Sequence, residues 1–165
     1  MDDNIQSVVL LAATITMGLV AGVFVLYQHT VMPGLAKTDD RTFVGAFQAL
    51  DRAIINPWFM ACFMGTPVLT AAAGVLFLGD DGFVLIAAAF VLYAVTFGVT
   101  IGINVPKNDA LKAAGDPDQI DVAAARSAFG EIAWVQWNRL RVITTTGAFG
   151  LLCGALLVHG ANNVR

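Results

Sequence analysis

Charge is scarce in this 165-residue chain, and four long stretches have none at all. Charged residues make up 13% against 58% hydrophobic, and the mean hydropathy is +0.74. Soluble domains carry about 25% charged residues, so the balance excludes an ordinary soluble fold. The net charge is only −3 and there is no basic stripe, which excludes nucleic acid as a partner. The only cysteines, Cys62 and Cys153, both lie inside apolar runs, so a disulfide framework or a thiolate metal site is not expected. Each reads as a small packing residue. The two histidines, His29 and His159, fall at opposite membrane faces in the topology below, which excludes a two-histidine haem or copper site within one chain. No phosphate loop, serine elbow or Cys–His signature is present. No acid sits in mid-span, against an ion-driven pump.

The uncharged stretches are Ile5–Tyr27, Pro57–Leu78, Phe83–Ile103 and Val142–Val158. A helix needs about 20 apolar residues to cross a bilayer. The first three satisfy this directly, and the helical residues before Val142 extend the fourth. The expected fold is all-α: a single four-span domain over 1–165, with spans at about 5–27, 57–78, 83–103 and 140–159 and amphipathic helices on one membrane face. The first run is not read as a cleaved signal, since it lacks a basic start and a small-residue cleavage site. Four crossings place segments 28–56 and 104–141 on the same side. They hold Lys37, Arg41, Arg52, Lys107, Lys112, Arg126, Arg139 and Arg141, while Arg165 alone lies opposite. The positive-inside rule then predicts both connections in the cytoplasm and both termini outside.

Pro33-Gly34 breaks the chain after the first run, and Thr38, Asp39 or Asp40 can cap a new helix. There Phe43, Phe47, Leu50 and Ile54 form one apolar stripe until Asn56-Pro57 stops it. Gly79-Asp80-Asp81-Gly82 predicts a tight turn between spans two and three. Asp116-Pro117 predicts the start of a helix that can run unbroken into the last span or bend near Gly130. Gly18/Gly22, Gly98/Gly102 and Gly150/Gly154 would let helix backbones approach closely. A short internal repeat aligns His29–Leu35 with Asn104–Leu111, and Phe47/Asn56 with Phe129/Asn138.

The side chains able to do chemistry gather on the two cytoplasmic segments. Glu131, Trp134, Asn138 and Arg141 share one helical stripe. Thr96, Thr100 and Asn104 form another, leading to Asn108, and Gln48 pairs with Arg52. With His29 and Asn56 these converge on one mouth of the bundle. Each has a structural reading as well. Trp58, Trp134 and Trp137 fit an aromatic belt, Arg139 and Arg141 fit topology anchors, and Asn56, Asn104 and Asn108 fit helix stops and caps. His29 fits a plain interface residue. Their joint convergence is what points to a polar pocket. Carboxylates on the stripes are limited to Glu131, so a carboxylate-rich metal site is not expected.

The segments His29-Thr-Val-Met-Pro-Gly-Leu35, Asn56-Pro57, Thr100 with Asn104-Val-Pro-Lys-Asn108, and Trp134 with Trp137-Asn138-Arg-Leu-Arg141 resemble the anthrone-oxygenase-like family of small four-span membrane proteins. The resemblance runs along essentially the whole chain. It implies oxidation of anthrones to anthraquinones by dioxygen, without metal or flavin cofactor, as one activity. Such chemistry needs a base and oxyanion donors. On that footing His29 is the candidate base, with Asn104, Asn108 and Arg141 completing the catalytic set. Arg52, Asn56, Thr100, Glu131, Trp134, Trp137 and Asn138 are candidate substrate contacts. The partners expected are the bilayer and a small hydrophobic or aromatic ligand. A non-enzymatic binding or assembly subunit is the competing expectation.

Overall fold

A computed structural model describes residues 3–162. It is all-helical among these residues. Helix α1 (Asn4–Leu35) is followed by α2 (Asp40–Ile54), α3 (Pro57–Leu76), α4 (Phe83–Ala113), α5 (Val122–Phe129) and α6 (Glu131–Asn162). Four helical stretches are long and apolar enough to cross a membrane: α1, α3, α4 and the run Val122–Asn162 formed by α5 and α6. The protein is an integral membrane four-helix bundle with shorter helices at one end. Helix α1 packs on α3 and α6, and α4 packs on α6 and α3.

The core is built from the apolar face of each span. Leu10, Ala13, Met17 and Val20 of α1 meet Phe63 and Ala73 of α3, Ile86, Ala89 and Tyr93 of α4, and Ala148, Leu152 and Ala155 of α6. The Tyr93 hydroxyl donates to the Phe63 carbonyl at 2.7 Å, which satisfies a buried polar group between two spans. Val8, Val68, Val84 and Leu157 remain exposed, as lipid-facing residues do.

The caps follow the sequence. Asp39 Oδ1 accepts from the Thr42 N–H at 2.9 Å and starts α2. The Thr42 backbone and hydroxyl hydrogen bonds hold the Asp39 carboxyl below its ordinary range. Asn56 Oδ1 accepts from Phe59 N–H at 2.9 Å and starts α3, with Pro57 at the first helical position. Gly130 ends α5 at φ 66, a left-handed turn that suits glycine, and the chain bends there into α6. Lys107 donates to the freed Phe129 carbonyl at 3.1 Å.

Three expectations are corrected. No helix starts at Pro117: Asp116 closes a turn with Asp118 and Gln119 instead, and Asp121, accepting from Ala124 N–H at 3.0 Å, is the true cap of α5. On α2 the buried face is Phe43, Val44, Phe47, Gln48 and Asp51, whereas Leu50 is 37% exposed. This helix lies against protein, since Phe47 packs at a tilt on Phe129 at 4.7 Å and meets Trp134 edge-on at 5.6 Å. Of the paired glycines, Gly18 makes a tight approach. A β-carbon there would stand 2.8 Å from the Phe149 ring, whereas one at Gly22, Gly98, Gly102 or Gly150 would meet nothing within 4 Å. Gly18→Ala should therefore cost about 1–3 kcal/mol through overpacking, and Gly22→Ala should cost nothing. Thermal unfolding of both variants in detergent checks this, and equal midpoints would contradict it.

The two proline breaks share one form. Pro33 and Pro106 cannot donate a backbone hydrogen bond, and their rings crowd the carbonyl four residues back. In both places the helix widens into a π-turn, Tyr27–Val31 and Thr100–Asn104, closed by Met32 N–H to Tyr27 O and Val105 N–H to Thr100 O. The structural repeat therefore aligns Pro33 with Pro106. It sets His29 opposite Gly102, not opposite Asn104 as the sequence match suggested.

Candidate functional site

The π-turns, α2, the start of α3 and the first turns of α6 line a partly open cavity of about 280 Å³ at the polar end of the bundle. Its walls are mostly apolar and aromatic: Phe24 and Tyr27 from α1, Phe47 from α2, Phe59 and Phe63 from α3, and Trp134 from α6. Its polar groups are Asp51, Thr100, Asn108, Lys112 and Arg141, with Asp109 at the edge. Such a volume lies at the small end of ligand pockets, which run from about 300 to 1,000 Å³.

Arg141 is 5% exposed, and its guanidinium lies over the Phe24 ring at 4.3 Å and beside Trp134 at 5.3 Å. It donates to Asn138 Oδ1 at 2.8 Å and to Thr100 Oγ1 at 3.4 Å, but its Nε has no acceptor. Among the described residues no carboxylate pairs with it. Asn138 is fully buried and donates to the Phe24 carbonyl at 3.2 Å and to Gln28 Oε1 at 2.9 Å. It thereby fixes Arg141 against α1. Asn104, also fully buried, reaches the Trp134 carbonyl at 3.5 Å, and its Oδ1 has no donor.

A second polar chain lines the cavity. Trp134 Nε1 donates to Asn108 Oδ1 at 2.7 Å, and Asn108 Nδ2 donates to Asp51 Oδ1 at 2.6 Å. The other oxygen of Asp51 lies 2.6 Å from Lys112 Nζ, which also pairs with Asp109 at 2.9 Å. Asp51, at 7% exposure, is the buried carboxylate of this end.

Of the residues singled out from sequence, Thr100, Asn108, Trp134 and Arg141 line the cavity, and Asn104 and Asn138 stand directly behind it. The others lie elsewhere. His29 and Arg52 are exposed and outside the lining, and Trp137 is 39% exposed. Asn56 caps α3. Glu131 is bound to Arg126 at 3.0 Å, in a cluster where Arg126 also holds Asp40 at 3.0 Å and covers Phe43. The structure places Asp51, rather than Glu131, as the buried carboxylate in the cavity lining. Asp51 carried a signal in the sequence, as the one acid on the apolar face of α2, four residues after Phe47. Lys112, Tyr27 and Gln28 carried none. No group of three or more His, Cys, Asp or Glu side chains among the described residues is placed to share a metal ion.

The fold and this buried polar end define a class: small four-span helical membrane proteins with an aromatic-walled cavity at one end of the bundle. The family model described as anthrone oxygenase matches residues 59–151, more than half of the chain. The chain belongs to the anthrone oxygenase family. The matched stretch carries Thr100, Asn104, Asn108, Trp134, Asn138 and Arg141, while Tyr27 and Asp51 lie before it. No curated protein and no solved structure matches the chain.

Proposed function

We propose that the cavity binds a small, flat, hydrophobic molecule with an acidic oxygen, and that the protein oxidises an anthrone-type substrate there with dioxygen. The observation that carries this reading is Arg141: a buried cation with no counter-carboxylate among the described residues, in a cavity walled by aromatic rings. An unpaired buried charge is costly, and an anionic ligand oxygen offsets that cost. In the reaction, a substrate methylene becomes a carbonyl. One oxygen atom of dioxygen enters the product and the other leaves as water with the two methylene hydrogens. Removing the first proton leaves an enolate, whose oxygen Arg141 would hold, with Trp134 and Phe24 against the rings. Family membership supports the reaction class.

The test uses purified protein in liposomes supplied with anthrone and air. Formation of anthraquinone should exceed that in protein-free liposomes, and Arg141→Gln should abolish most of the excess. Equal rates with and without protein would remove the reading.

The orientation proposed places this end in the cytoplasm. A cysteine at Lys112 should then resist an impermeant thiol reagent in intact cells, while one at Asp81 should label; the reverse pattern would put the cavity outside.

The second reading is a non-enzymatic binding or assembly subunit. It is favoured by the way Asn138 and Arg141 tie α1, α4 and α6 together. If Asn104→Ala, Asn138→Ala and Arg141→Ala lower folded yield and nothing else, this reading gains. If they fold and lose ligand, the binding site gains.

A further inference from the structure

We propose that Asp51 is the base that removes the substrate's methylene proton, with Asn108 and Lys112 as its positioning residues; this rests on the anthrone-oxidation reading above. The reaction needs a proton acceptor beside the cavity, and the exposed His29 is not in its lining. Asp51 is in the lining and buried, and it stands on α2, whereas Arg141 stands on α6. The cavity therefore has an anionic group and a cationic group on different walls, with an apolar space for the ring system.

The surroundings of Asp51 are ordered for this role. Asn108 donates to Oδ1 and in turn accepts from Trp134, so the carboxylate is tied to the ring that walls the cavity. Lys112 holds Oδ2 at 2.6 Å. The charged and titratable groups in the same lining are Tyr27, Asp109, Lys112 and Arg141. In the step, the methylene C–H bond breaks, and its proton passes to an Asp51 carboxylate oxygen. The electron pair delocalises into the ring system as the enolate, with its negative charge on the oxygen at Arg141. Nothing is oxidised until dioxygen reacts with that enolate. Afterwards Asp51 returns its proton to the water that leaves.

Proton removal is separable from oxidation by excluding dioxygen. Anthrone deuterated at the methylene, incubated anaerobically with the protein in liposomes, should exchange its deuterium for solvent hydrogen. Asp51→Asn should slow this exchange, and the aerobic oxidation, by about 100-fold or more, the usual size of general-base catalysis. Binding of anthraquinone, read by quenching of tryptophan fluorescence, should remain within about twofold and reports that the variant is folded. Where the asparagine variant folds poorly, Asp51→Glu keeps the charge and moves it by one methylene; exchange should fall about tenfold or more, since displacement of about 1 Å is costly. Exchange at the wild-type rate in either variant overturns the assignment while leaving the oxidation reading intact. A wild-type protein that neither exchanges nor oxidises anthrone removes both.

Discussion

Arg141→Lys is expected to lower anthrone oxidation about tenfold or more, while Arg139→Lys leaves it within about twofold. Both variants keep the positive charge, so a topology anchor would tolerate either. The two positions are about 200° apart around the helix, at about 100° per residue. Arg139 is exposed, whereas Arg141 is buried between Phe24 and Trp134. The planar guanidinium reaches Asn138 and Thr100 with separate nitrogens and stacks on a ring. An ammonium cannot do both, and it is more strongly hydrated, so its burial costs more. The measurement is anthraquinone formation by the two variants side by side, with folded fraction from size-exclusion chromatography. Equal tolerance would reduce Arg141 to an anchor and take the central residue out of the site.

Asn138→Leu should be the most destabilising single change at the polar end, by about 2–3 kcal/mol. The side chain is fully buried and serves three partners: the Phe24 carbonyl, Gln28 and Arg141. Leucine matches its size but strands a backbone carbonyl and a guanidinium nitrogen in an apolar setting. A loss of that size corresponds to about 4–12 °C in unfolding midpoint for a chain of this length. Asn56→Ala, which removes a helix cap and exposes no buried partner, should cost about 1 kcal/mol. Thermal unfolding in one detergent ranks the two. A smaller loss for Asn138→Leu would mean that water or lipid already reaches the junction of α1 and α6.

The membrane fold was legible because it depends on composition and length, which need no knowledge of what packs where. The stripe Trp134–Asn138–Arg141 was legible for a related reason: one straight helix carries it, so spacing converts directly into direction. One turn earlier, at Glu131, the stripe leaves the cavity, because α6 begins there and the residue turns to Arg126 beside the bend at Gly130. His29 falls outside the cavity lining for a different reason. It lies inside a π-turn, where the extra residue offsets the face by about 100° relative to an ordinary helix. The proline announced the break but not its form. The signal at Asp51 is weak because the docking face of α2 depends on Phe129 and Trp134, which lie far along the chain. Counting Leu50 into the stripe rotated that face away from the acid.

In the proposed function a ligand's acidic oxygen sits in the cavity against Arg141. The most direct measurement is an experimental structure of the protein in lipid with a hydroxyanthraquinone added. The ring system should lie between Phe24, Phe47 and Trp134, with one oxygen within hydrogen-bond distance of Arg141 Nε. A protein that binds the quinone elsewhere, or whose Arg141 meets a carboxylate of its own chain while the cavity stays closed, would contradict it.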